Sequence, residues 1–377
     1  HFTDRRQRQM CIRDSDLVYG FESEEASYSR PKDRYETNLI TGEINRVFFG
    51  PEVFPNKAFP DSEVVRDAFY FSDRISLSEK TTFVFGLRHD NYEQKAIADS
   101  LSAAGNPANH PLLPREDSET SLKLGVIQDL SDVVSVFAQV AEGYRNPDFT
   151  DAYNTYTNYA FGYTIIPNPD LKAEYSTGYE LGLRGTKDDV KWSLVLFKNN
   201  FKDFIDSNLY SLPPVNGVLQ VRYENLESVR TKGVEFEIRR NISETLSSFA
   251  GFALNESDNL INESITPDQL KYGLSHISKS GNLSTNYVMT YTADSPRLPP
   301  IVGRSGSTPA VFAPRSVTHD IFVDFDIDEN FDLRLGMRNI TNEKYWDWVS
   351  VAGLAEGTAQ QYLNPGTNFS FDLRYTF

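Results

Sequence analysis

Asn368-Phe-Ser-Phe-Asp-Leu-Arg-Tyr-Thr-Phe377 decides the fold. Phe369, Phe371, Leu373, Tyr375 and Phe377 fall on one side of an extended chain, and Ser370, Asp372, Arg374 and Thr376 fall on the other. Period-two alternation is the mark of a strand with one apolar and one polar face. A soluble sheet alternates too. A run of aromatics ending on the apolar face fits a strand whose outer side meets lipid and whose inner side meets water.

The same alternation recurs upstream. Phe69, Phe71, Ile75 and Leu77 oppose Tyr70, Ser72, Arg74 and Ser76, and a tight turn at Ser78-Glu-Lys80 leads to Phe83, Phe85 and Leu87. Leu122, Leu124 and Val126 turn at Leu130-Ser-Asp132 into Val134, Val136, Ala138 and Val140. Tyr179, Leu181 and Leu183 lead through Gly185–Asp189 to Trp192, Leu194 and Leu196. Val234, Phe236 and Ile238 precede Leu246–Leu254, and Ile321, Val323 and Phe325 precede Phe331, Leu333, Leu335 and Met337. The sum is about twelve strands, each long enough to cross a bilayer at a tilt. Segments 29–63, 94–118, 145–172, 206–219, 258–314 and 340–366 read as long loops. Short turns thus fall at one end of the strands and long loops at the other. A set of soluble sandwiches has no such sidedness.

Charge placement agrees. Arg74, Arg88, Glu180, Arg184, Glu235, Glu237, Asp332, Arg334 and Arg338 all occupy the polar side of their strands. A Lys or Arg facing lipid at the midplane would cost ~2–4 kcal/mol. The fold class expected is all-β: an antiparallel up-and-down transmembrane barrel wall.

Composition narrows the function. The 377 residues carry 37 Lys and Arg against 53 Asp and Glu, a net charge of −16. Such a surface repels phosphate backbones, so nucleic acid is excluded as a partner. Mean hydropathy is −0.45, a value that soluble proteins and barrels share. No run approaches the ~18 apolar residues of a spanning helix. Cys11 is the single cysteine, so no internal disulfide forms. His1–Ser15 is basic, aperiodic and unlike the alternating chain beyond it; residues 1–15 read as an extraneous extension and 16–377 as one partial barrel domain. The first residue is not Met, and the chain reads as a fragment. No Gly-rich phosphate loop, nucleophile elbow or helical His pair is present, so no enzyme is expected.

Several motifs resemble the barrel of a TonB-dependent outer-membrane receptor. They are Phe59-Pro-Asp-Ser62, Gly86-Leu-Arg-His-Asp90, Ala141-Glu-Gly-Tyr-Arg-Asn-Pro147, Asn168-Pro-Asp-Leu-Lys-Ala-Glu174, Thr177–Arg184, Thr231-Lys-Gly-Val-Glu235 and Met337–Tyr345. Their order runs from Asp16 to the C-terminus. The ending itself resembles the signal read by the barrel insertion machinery, carried by Phe369, Phe371, Leu373, Tyr375 and Phe377. Within the family the chain is most similar to haem and haemoglobin receptors, which carry a Phe-Arg-Ala-Pro box and an Asn-Pro-Asn-Leu box. Here the boxes read Tyr144-Arg-Asn-Pro147 and Asn168-Pro-Asp-Leu171; Tyr144, Asn146 and Asp170 depart from the pattern.

The resemblance implies a bacterial outer-membrane receptor taking up an iron-containing ligand, with haem or a haemoprotein first and a ferric siderophore next. Its implied partners are the TonB energy-transducing complex, the insertion machinery, outer-membrane lipid and the iron ligand. Haem enters as cargo; no resident cofactor or metal is expected. The resemblance also implies a coupling segment, a plug and about twenty-two strands, so this chain reads as the C-terminal part. The family often places a haem-liganding His between the boxes. Here Tyr153, Tyr156, Tyr159 and Tyr163 stand there instead, and tyrosinate can hold ferric haem. The other reading is that these tyrosines pack the loop or sit at the interface. Arg145, His110 and His276 join them as candidate contacts, each with a bland alternative. Arg145 can pair with an acid across the sheet, and loop histidines are commonly solvated. His89 reads as structural, Trp346 and Trp348 as interface anchors or loop packing, and the prolines at 147, 167 and 169 as loop shapers. A passive porin-like channel and a soluble adhesion module are the competing classes.

Overall fold

The computed structural model describes residues 15–377 apart from 48–51, 107, 160–161, 169, 207–209, 216, 259–265, 299–300 and 304–305. Fourteen long strands form one antiparallel sheet in strict chain order. They are β1 (Ser15–Tyr28), β2 (Asp61–Ser78), β3 (Thr81–Ile97), β4 (Arg115–Asp129), β5 (Val134–Arg145), β6 (Glu174–Lys187) and β7 (Val190–Ile205). Then come β8 (Asn225–Asn241), β9 (Leu246–Ser257), β10 (Gln269–Ile277), β11 (Leu283–Thr292), β12 (Ser316–Asp326), β13 (Phe331–Arg338) and β14 (Asn368–Tyr375). Four short helices lie in the long connections among the described residues: α1 (Ser100–Gly105), α2 (Phe149–Tyr153), α3 (Trp348–Val351) and α4 (Glu356–Ala359). No helix among the described residues is long and apolar enough to cross a membrane. Of the stretch expected to be extraneous, residues 1–14 lie outside the described residues, as does Pro169, and Ser15 already belongs to β1.

The count exceeds the twelve strands read from sequence because segment 258–314, taken as one loop, holds the hairpin β10–β11. Its pattern is faint for a physical reason. The outward positions of β11 are Leu283, Thr285, Tyr287, Met289 and Tyr291, and the inward ones are Ser, Asn, Val and Thr, so the two faces differ little in polarity. The strands also run further than expected. β2 and β3 span 18 and 17 residues, where about ten suffice to cross a bilayer. Their upper parts are polar on both sides and rise beyond the apolar band.

Sidedness is complete. Tight turns join β2 to β3, β4 to β5, β6 to β7, β8 to β9, β10 to β11 and β12 to β13, and every long connection lies at the opposite end. The register puts Phe69, Leu124, Leu181, Leu335 and Phe371 on one exposed apolar face. Arg74, Arg88, Glu180, Arg184, Glu235, Glu237, Asp332, Arg334 and Arg338 share the other, while Asp73, Lys198 and Lys232 fall outward. Arg88 joins Glu22 (2.8 Å) and Asp90 (2.9 Å), and Arg66 also reaches Asp90 (2.9 Å). Gln139 donates to Glu180 at 2.6 Å, and Arg334 pairs with Asp324 directly across the ladder. On this inner face Phe137 lies over Gly182 and Phe249 over Gly273, each ring filling the space where a Cβ would stand. Such cross-strand cover pins register.

Candidate functional site

The long loops do not hang free. Those between β1 and β2, β3 and β4, and β5 and β6 pack on one another around a small core at the upper end of β3.

Residues 145–174 lie at its centre. Asp148 caps the single helical turn α2 by accepting from the N–H groups of Thr150 and Asp151. This is the ordinary use of Asp before a helix start. The turn buries Ala152 and Tyr153 against Phe59, with Ala58, Ala96, Leu112 and Phe149 around them. Phe149 stacks on Tyr28 at 4.5 Å between centroids and packs on Phe59 at 4.9 Å. Tyr153 is 2% exposed, and its hydroxyl lies within donating distance of Leu113 O (2.9 Å) and Gln94 O (3.2 Å). Three connections, β1–β2, β3–β4 and β5–β6, are thereby joined through one ring and its neighbours.

A second tie involves residues the sequence pattern did not single out. The Lys57 ammonium, with its side chain 5% exposed, donates to Asp61 (2.7 Å) and Asp99 (2.6 Å). Asp99 also caps α1 in a capping box with Ser102. The lysine and the cap hold the Asp99 carboxyl down at about 2. The spacing Asp-x-x-Ser was a readable helix start; the lysine partner, 42 residues away, was not.

The Asn168–Leu171 box proves to be a clasp. Asn168 donates to Tyr223 O at 2.8 Å and accepts from Asp170 N, while Leu171 is 2% exposed. Asn225 accepts from Lys172 N and donates to the carbonyls of Lys172 and Asp203. Tyr163–Ile165 pairs in parallel with Val218–Arg222. The box thus welds two loops together.

The candidate contacts separate accordingly. Arg145 lies directly across the ladder from Glu174, with Nε 2.8 Å from Oε1, and it also reaches Asp151 at 3.3 Å. Tyr153 is a packing residue. Tyr156, Tyr159 and Tyr163 are half-buried, and the Lys32 ammonium lies 4.3 Å from the Tyr156 ring centroid. His110 is held through its main chain by both atoms of the Asn106 amide, and its Nε2 is buried without a partner among the described residues. Burial pushes the imidazole down from its ordinary value, favouring the neutral ring, and encloses Nε2. His276 is not a loop residue, contrary to the expectation from sequence. It is the penultimate residue of β10, paired with Leu246 and Thr285 beside a tight turn, at the end away from the loops. The hidden β10–β11 hairpin accounts for that difference. Trp346 and Trp348 belong to a second loop core with Val311, Ala313, Val351 and Ala359, which makes them loop packing.

Among the described residues no group of three His, Cys, Asp or Glu could hold a metal ion. A cleft of about 630 Å³ opens beside the layer, with Arg115, Asp117, Tyr153, Lys172, Tyr175 and Lys202 in its lining. A hollow of about 730 Å³ lies among the tight turns, around Asp132, Arg184 and Trp192, and so at the opposite end. The loop end offers tyrosines and mixed charges: the means to bind.

A family model described as "TonB dependent receptor-like, beta-barrel" matches residues 6–340. The hemoglobin and hemoglobin-haptoglobin-binding protein A of Haemophilus influenzae is 24% identical over 362 residues, covering 88% of this chain and 32% of that protein. The hemoglobin-haptoglobin utilization protein B of Neisseria meningitidis serogroup C is 23% identical over 339 residues, covering 78% and 42%. The chain therefore spans well under half the length of these relatives. Among solved structures, the copper transporter OprC superposes with a TM-score of 0.72 at 17% identity, over 97% of this chain and 54% of that one. The FrpB iron transporter from Neisseria meningitidis gives 0.69 at 14%, over 96% and 52%. At these identities the structures speak for the fold alone.

Proposed function

The chain belongs to the TonB-dependent receptor β-barrel family of the Gram-negative outer membrane, and from that premise we propose that it forms the wall and capture loops of a receptor that imports iron as haem or from a haemoprotein. The supporting observation is the alignment of 88% of the chain with a hemoglobin-binding protein. The loop layer suits the task, because tied loops present side chains with little ordering left to do on binding. In this reading Arg145 and Tyr153 position the loop, while Tyr156, Tyr159 and Tyr163 are the contacts within reach of a ligand. A tyrosinate suits ferric haem.

Uptake is coupled to the TonB complex. A plug, carried by the rest of a longer protein, alternates between states of different ligand affinity. Further wall strands of that protein, about twenty-two in all, pair with the sheet edges β1 and β14, because bilayer cannot satisfy bare strand edges. Enzymatic chemistry has no place in this scheme.

The test is binding by the complete receptor. A Soret shift with micromolar hemin, and growth on haemoglobin as sole iron source, are the expected results. Absence of both would turn the assignment to a ferric siderophore. Open conductance in planar bilayers would favour a passive channel.

A further inference from the structure

The outer face of the wall is hollowed over β5. Ala138 of β5 lies directly between Val126 of β4 and Leu181 of β6. Its methyl group leaves a trough between two branched side chains, which opens as a groove of about 700 Å³. The groove runs over the outward side chains of β3 to β7, from Phe83 through Leu124 and Val140 to Leu196. Each of these is apolar and shares the face of Leu181.

One end of the groove is charged. Tyr179 and Lys198 line it there, directly opposed across the ladder. Both lie on the loop side of Leu181 and Leu196. β7 starts at a tight turn, and its outward positions run Trp192, Leu194, Leu196, Lys198 and Asn200, so the apolar band ends at Lys198. Aromatic rings with cations beside them are what meets headgroups at such a boundary. Because this is the loop side of the wall, the headgroups are those of the outer leaflet.

The charges at that boundary are not balanced. Lys198 faces Lys232 of β8 directly, a spacing of about 5 Å between Cβ atoms at which like charges repel. Arg230 stands one rung higher on the same side. Lys232 has Glu256 at 3.1 Å and Arg230 has Asp258 at 3.8 Å, and both acids lie beyond β8, away from the groove. Lys198 has no ion pair or hydrogen bond among the described residues. On the groove side, the outward carboxylate of Glu142 is engaged by Leu122 N at 3.2 Å. In a chain of net charge −16, this cluster of outward cations leaves a place for an anion from outside. Phosphate, with several oxygens that can accept from two ammonium groups at once, fits it.

We propose that this place binds an acylated, phosphate-bearing lipid of the outer leaflet, with its phosphate between Lys198 and Lys232 and one acyl chain in the groove over Ala138. The two halves of the site select the occupant together. The apolar lining favours a hydrocarbon chain over a water-soluble phosphate, and the lysine pair favours an anionic headgroup over a neutral one. The inference rests on the membrane placement of the wall and is independent of the haem reading.

The test uses the complete receptor in uncharged detergent, stripped of lipid, with native mass spectrometry counting the lipid it retains. Diphosphorylated lipid A is the probe, and its dephosphorylated form is the comparison. Wild type should hold the phosphorylated form at least ~tenfold more tightly, since charge-assisted contacts to phosphate are among the stronger ones. Lys198→Gln combined with Lys232→Gln should abolish that preference, whereas Lys123→Gln, on the inner face of β4, should keep it. Ala138→Leu fills the groove and should weaken both forms alike. Millimolar inorganic phosphate should displace neither. Equal retention of the two forms by wild type, or an unchanged preference in the double lysine variant, overturns the proposal; neither depends on the folding of the Ala138 variant. An equal loss in Lys123→Gln reduces the effect to net charge and overturns it too. Displacement by inorganic phosphate, or unchanged retention by a folded Ala138→Leu, overturns it as a lipid site.

Discussion

Glu174, the first residue of β6, accepts two hydrogen bonds from Arg145, the last residue of β5, and closes the base of the central loop. The same carboxylate accepts from Ile205 N at 2.9 Å, so one side chain holds the upper ends of three strands. Glu174→Ala leaves the Ile205 N–H without its acceptor and Arg145 with Asp151 alone, which costs about 1–3 kcal/mol. Glu174→Gln keeps an acceptor and should cost less. Amide exchange of 145–174 is expected to accelerate more in the alanine variant than in the glutamine one; equal rates would show that the loop is held elsewhere.

The register makes a second prediction through two adjacent residues. Leu335 faces outward opposite Val323 and Phe371, and Arg334 faces inward beside Asp324 and Asp372. Leu335→Arg should cost ~2–4 kcal/mol in the bilayer and sharply reduce the folded, heat-modifiable band on a gel. Arg334→Leu should insert nearly as well as wild type. Equal tolerance of both would mean the faces are reversed.

Tyr153 separates packing from ligand contact. Tyr153→Phe loses its hydroxyl contacts and retains the ring in its cluster, a loss of about 0.5–1.5 kcal/mol per hydrogen bond. Hemin spectra should match wild type, whereas Phe at 156, 159 and 163 together should reduce the Soret shift. A Soret change in the Tyr153 variant alone would restore it as a ligand.

Acid should loosen the loop layer through Asp99. Lys57, with the cap hydrogen bond from Ser102, holds its carboxyl at about 2, below its ordinary 3.8. A depressed folded value means the stabilisation is complete above about pH 4 and disappears as pH falls toward 2. Peptic cleavage within 97–106 should therefore rise between pH 4 and pH 2. Asp99→Asn preserves the cap but loses the ion pair, and its cleavage should vary far less across that range.

The wall was legible because a lipid-facing strand has strong contrast between its two sides. β2 to β9 and β12 to β14 read directly from residues such as Phe69, Leu124, Leu181 and Leu335. β10 and β11 did not, since threonine and tyrosine serve on either face, and His276 was misassigned with them. The loop layer was legible only in part. Nothing in the sequence distinguishes Tyr153, buried against Phe59 of a different loop, from its neighbours Tyr156 and Tyr159. Arg145 and Glu174 were each visible, but their pairing depends on where β5 ends and β6 begins.

Strict neighbour-to-neighbour order in the sheet also governs how such a protein can vary. Each strand needs to find only the one before it, and the tight turns hold six of those encounters within a few residues. The remaining closures run through the outer loops, where entropy grows only with the logarithm of length, about 0.6 kcal/mol for each doubling. Insertions there are therefore cheap in folding terms, and the wall is indifferent to their sequence. Loop sequence can drift from one relative to another while the part that must assemble in the membrane stays the same.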